Sequence, residues 1–77
     1  MKYLVTSEPY HDNSTPLWLG DDFSEASAKA RGSAGDNDAT TIWQWDGKEF
    51  VALGSWYTAA QLGRSDVGGL FWIEPHE

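Results

Sequence analysis

The sequence predicts a small α+β fold: a mainly antiparallel sheet of about four to five strands packed on one main helix, with a short second helix. Three observations predict it. Short runs rich in β-branched and aromatic residues recur between turn signals, and one stretch repeats apolar residues at helical spacing. The resulting order of strand, strand, helix, hairpin, short helix and strand contains no internal repeat, as expected of an α+β domain. At 77 residues the chain forms a single domain, residues 1–77, of a size that buries only about 60% of the surface its unfolded form exposes.

The first strand is expected over residues 2–8, with Tyr3 and Val5 on one face, Leu4 and Thr6 on the other, and Pro9 as its stop. Residues 11–16 form a turn-rich loop, and Leu17, Trp18 and Leu19 a short second strand closed by Gly20. The helix is expected over residues 23–31, where Phe23, Ala26 and Ala30 share a face and Gly32 stands where a left-handed cap belongs. Its start has two solutions. Asp22 with Glu25 fits a capping box, whereas Ser24 as cap would let Phe23 pack on Ala28.

Asp46-Gly47 between residues 40–45 and 48–53 predicts a hairpin on a two-residue turn. That register sets Trp45 against Lys48, Trp43 against Phe50 and Thr41 against Ala52, with Ile42 facing Val51 and Thr40 facing Leu53 on the other face. Residues 55–62 are expected to form the short second helix, ended by Gly63, with Thr58 and Gln61 as a cap pair, and residues 70–74 the last strand, broken by Pro75. Ile42-Trp43 and Leu70-Phe71-Trp72-Ile73 place large apolar groups on both faces of the sheet, although one good helix covers only one. Either the second helix and loops cover the other face, or it is a contact surface.

Composition narrows the function classes. Without cysteine neither a disulfide framework nor a thiolate zinc site can form. Five tryptophans, three tyrosines and three phenylalanines supply buried area instead and argue against disorder. The only apolar run near the start covers residues 3–5, which is no signal peptide or membrane span, so a cytoplasmic location is expected and the Asn13-Ser14-Thr15 sequon reads as chance. A net charge of −7 opposes direct contact with nucleic acid or an anionic membrane and favours basic protein surfaces.

No constellation of catalytic residues emerges. Asp36, Asp38 and Thr40 open like a calcium loop, yet Thr41 stands where the loop needs glycine and Gly47 where it needs a bidentate glutamate. His11 and His76 are the only imidazoles and lie in polar segments. No serine occupies a nucleophile elbow, and the glycines lack a phosphate-loop lysine. Adjacent Asp21 and Asp22 suit a helix cap and dipole better than acid–base work. The expectation is a protein that is no enzyme and uses no cofactor or metal.

What remains is acidic surface: Asp21, Asp22 and Glu25 at the helix start, Asp36 and Asp38 in the next loop, Asp46 and Glu49 at the hairpin tip. Individually these residues suit capping, turn chemistry and solvation. Collectively they are candidates for a set of carboxylates that imitates nucleic-acid phosphates against a groove lined by Arg and Lys.

In size, acidity, aromatic content and the order of strand (2–8), helix (23–31) and hairpin (40–53), the chain resembles the small anti-CRISPR and other anti-defence inhibitors of phages and mobile elements. The resemblance covers the chain in outline and rests on no diagnostic motif. It implies a non-enzymatic inhibitor in the bacterial host cytoplasm that occupies the basic DNA-binding surface of a host protein or CRISPR effector complex. The alternative is a protein-interaction, immunity or assembly module that binds through an exposed aromatic sheet face, as monomer or homodimer.

Overall fold

A computed structural model of the chain describes residues 2–9, 15–35, 38–59, 62–63 and 69–74. Five strands and one helix follow in the order β1 (Tyr3–Pro9), β2 (Thr15–Gly20), α1 (Phe23–Ser33), β3 (Asp38–Trp45), β4 (Phe50–Thr58) and β5 (Leu70–Ile73). The strands form one antiparallel sheet in the order β2-β1-β3-β4-β5. The fold is the small α+β class that the sequence implies.

The helix forms where the alanines predict it. Asp22 is its cap: one carboxylate oxygen accepts from the Ser24 amide at 2.8 Å and the Glu25 amide at 3.3 Å, satisfying donors that the first turn leaves free. Ala26 and Ala30 are fully buried against Val5 and Ile42, and their small side chains let the helix backbone lie close to the sheet. Gly32 is not a left-handed cap. The helix runs through it to Ser33 and ends at Ala34 in extended conformation. The Ala30 carbonyl accepts both the Ala34 amide at 3.1 Å and the buried Thr40 hydroxyl at 2.8 Å, so this end is closed without a glycine turn.

Two further expectations are corrected. The hairpin loop has four residues, not two: Trp45 pairs with Phe50, Gln44 with Val51 and Trp43 with Ala52. The Asp46 carboxylate accepts from the amides of Lys48 at 2.8 Å and Glu49 at 2.9 Å, and the Asp46 amide donates to the Glu49 carbonyl. This side-chain turn competes with the two-residue backbone turn and wins, with Gly47 taking the positive φ of 103° that the loop requires. A register shift between Ile42 and Trp43 then sets Ile42 opposite Gly54 and Thr40 opposite Trp56.

No helix forms at residues 55–58, which continue β4 as far as Thr58. Each of these residues stands opposite one of β5, and two add side-chain contacts across strands: a 2.8 Å hydrogen bond between the Ser55 and Thr41 hydroxyls and an indole contact between Trp56 and Trp72 at 5.3 Å. Cross-strand pairing thus outweighs the weak helical pattern of a short segment. The chain turns after the strand, where the Leu62 amide donates to the carbonyls of Thr58 and Ala59. β1 also includes Pro9, β2 begins two residues before Leu17, and β3 starts at Asp38.

The helix lies over β1, β3 and β2, which leaves the β4–β5 half of the same face beside it. On the opposite face, among the described residues, no helix packs. The polar groups there are satisfied within the sheet: the Trp43 indole N–H donates to the Thr6 hydroxyl at 2.9 Å. Both threonines of that face, Thr6 and Thr41, are buried and paired, consistent with the rule that buried hydroxyls find partners.

Candidate protein-binding surface

The strand register decides which carboxylates meet. Tyr3 of β1 stands opposite Gly20 on one side and Gln44 on the other, and the Trp45 amide donates to the Lys2 carbonyl at 2.9 Å. The helix start and the hairpin tip therefore leave the sheet at the same end. Asp21, Asp22 and Glu25 arrive there from one segment, and Asp46 and Glu49 from another, with Lys2 and Lys48 beside them. All five carboxyl-bearing residues are exposed.

Not all of the expected acidic set joins them. Asp38 begins β3, opposite Pro9. It is separated from Trp45 by the length of the strand, about 23 Å at about 3.3 Å per residue. Asp36, His11 and His76 lie outside the described residues. Thr40, which shares the calcium-like pattern with Asp36 and Asp38, turns its hydroxyl into the helix end.

Two of the five carboxylates also have local work. Asp22 caps the helix, and Asp46 organises the hairpin tip. The amides of Glu49 and then Lys48 hold the Asp46 carboxyl below its ordinary range, because both donate to the charged form. Asp21, Glu25 and Glu49 are left to face solvent at this end of the molecule.

Against this acidic end sits an apolar cluster that the sequence reading missed. Leu4 pairs with Leu19 and with Trp43, and Trp45 with Phe50, so these side chains share the face opposite the helix. Leu19 is 58% exposed and Trp45 39% exposed, although both are large and apolar. Trp45 meets Phe50 edge to face at 5.2 Å. A hollow of about 480 Å³ is bounded by Lys2, Leu19, Trp45 and Phe50, and an adjoining one by Lys2, Leu19, Gly20 and Asp21. Leu19 and Lys2 thus stand between the aromatic pair and Asp21, while Asp46 and Glu49 flank the pair along the chain. The four-residue hairpin loop is what sets Phe50 beside Trp45, and the two-residue turn expected from Asp46-Gly47 hides that pairing.

A second cleft, about 490 Å³, opens on the helix side between α1 and the β4–β5 half of the sheet. Phe23, Leu53, Trp56 and Trp72 line it, with Ser27 and Glu74 at its polar margin. The Arg31 guanidinium lies 5.8 Å from the Trp56 ring centre, a cation–π contact, while the buried Trp56 indole N–H finds no hydrogen-bond partner among the described residues. Among the described residues no group of three or more metal-ligating side chains comes together, and no helix is long and apolar enough to cross a membrane.

Comparison with protein-family models, with curated protein sequences and with solved structures finds no match to this chain.

Proposed function

We propose that this protein is a non-enzymatic inhibitor that binds the basic, nucleic-acid-engaging surface of another protein, in the manner of anti-CRISPR proteins that block DNA binding by an effector complex. The observation that carries the proposal is the meeting, at one end of the sheet, of carboxylates from two separate segments beside exposed Leu19, Trp45 and half-buried Phe50. Clustered acids attract and orient an Arg- and Lys-lined surface over a distance, but screened surface charges alone give little affinity. An exposed aromatic pair supplies the desolvated anchor that binding hot spots need. Charge at the margin and an apolar contact beside it form the pattern of a steered interface.

The experiment is competition. The immobilised protein is incubated with bacterial lysate, and retained nucleic-acid-binding proteins are challenged with duplex DNA. Release by DNA, and loss of retention in the Asp21→Asn/Glu25→Gln/Glu49→Gln variant, is the expected result. A partner that stays bound in the presence of saturating DNA refutes phosphate imitation.

A further inference from the structure

The apolar hollow beside the acids is built as a row across one end of the sheet. The strand order brings Leu19 of β2, Lys2 just before β1, Trp45 of β3 and Phe50 of β4 side by side around about 480 Å³. Trp45 and Phe50 meet edge to face, at 5.2 Å and an interplanar angle of 62°, so the rings do not stack and indole surface stays open to the hollow. Asp21 bounds the adjoining hollow, and Asp46 and Glu49 stand next to Trp45 and Phe50 in the chain. Asp46 is engaged by amides of the hairpin tip, whereas Asp21 and Glu49 face solvent. Lys2, which borders both hollows, is exposed, and its flexible stem lets the ammonium leave the rings for water.

We infer that this hollow receives an arginine side chain of the partner and selects it over lysine. The inference deepens the reading of a basic partner surface and rests on it. The occupant meets two demands at once. The walls are apolar and aromatic, so whatever enters gives up water, and the margin carries carboxylates, so what enters favourably is cationic. Nucleic acid and anionic surfaces fail the second demand against a net charge of −7, and an uncharged apolar side chain leaves the carboxylates unanswered. A lysine ammonium is compact and strongly hydrated, and it must shed that water to sit on the rings. A guanidinium is planar and weakly hydrated. It lies against the Trp45 face while the N–H groups in its plane point outward to carboxylates at the margin. The same pairing already occurs inside the chain, where the Arg31 guanidinium stands 5.8 Å from the Trp56 ring centre.

An NMR titration of the isotope-labelled full chain tests this with arginine and lysine homopeptides of equal length and capped ends. The arginine peptide is expected to bind at least about fivefold more tightly, with the Trp45 indole N–H signal moving most among the indoles. In Trp45→Leu the preference is expected to fall to within about twofold, because charge attraction remains and the ring face is gone. Preference and location are both read in the parent chain, so neither depends on how well the variant folds. Equal affinity of the two peptides, a shift centred on Trp56 rather than Trp45, or an undiminished preference in a folded Trp45→Leu chain overturns the inference. It fails separately from the function proposed above. Equal affinity together with a lysate partner released by DNA keeps that function and removes arginine selection, whereas arginine preference with a partner that DNA leaves bound keeps the selection and removes phosphate imitation.

Discussion

Gly54 offers a test of how the two strands nearest the helix-side cleft are packed. A Cβ added there would lie 2.3, 2.6 and 2.8 Å from Cζ2, Cε2 and Cη2 of Trp72, all inside contact distance. The indole cannot simply lift away, because Trp56 holds it on one side with ring centres 5.3 Å apart. Overpacking of this kind costs about 1–3 kcal/mol. The substitution also reduces unfolded-state entropy, which returns about 0.4–1 kcal/mol where the backbone conformation suits alanine. Gly54→Ala is therefore expected to destabilise the fold by about 1–2 kcal/mol. In a chain of this length that lowers Tm by about 4–16 °C. The assay is thermal and urea unfolding followed by circular dichroism, repeated in a Trp72→Leu background. With the indole removed, Gly54→Ala becomes neutral or stabilising. If Gly54→Ala alone is as stable as the parent, the close approach of Trp72 to the β4 backbone is not a feature of the folded protein.

Three other outcomes follow from the contacts described. Asp22→Ala removes the acceptor for two helix-start amides and should cost about 0.5–2 kcal/mol in urea unfolding, while Asp22→Asn, which keeps an acceptor oxygen, costs less. Thr40→Val leaves the Ala30 carbonyl with one donor instead of two in a buried setting and should cost about 1 kcal/mol, read as a shift in the unfolding midpoint without change in slope. Asp46 titrates below its ordinary value in the folded state, so its contribution to stability is present above the unfolded pKa of about 3.9 and is lost as pH falls through the lower folded value. A carboxyl-detected NMR titration should find Asp46 protonating below the ordinary aspartate value, and Asp46→Asn should remove that acid-dependent loss of hairpin-tip stability.

How far the sequence reaches is clear from particular residues. The helix was legible because its determinants are local: a cap at Asp22, alanines at 26 and 30, and charges suited to its dipole. The strands were legible in kind for the same reason, but the β3–β4 register was not. Asp46-Gly47 signals a two-residue turn and a carboxylate-organised four-residue turn equally well, and the two differ by hydrogen bonds that sequence spacing does not reveal. The helix expected over residues 55–62 gives way to strand at 55–58 because an eight-residue run has too few periods to separate strand from helix, and what decides it is the presence of Trp72 and Thr41 on neighbouring strands. The site suffered most from this limit. The acidic residues were visible singly, whereas their meeting depends on β1 lying between β2 and β3, a long-range topology. Leu19 and Phe50 carried no signal of their own until that topology and the shifted register placed them beside Trp45 and the acids.

The measurement that tests the central claim most directly is retention of nucleic-acid-binding proteins from bacterial lysate at low and high salt, comparing the parent with the Asp21→Asn/Glu25→Gln/Glu49→Gln variant and with Trp45→Ala. The account predicts a partner held at low salt, released steeply as salt rises, and weakened by both variants. Retention that is indifferent to salt and to the loss of the three carboxylates would contradict it.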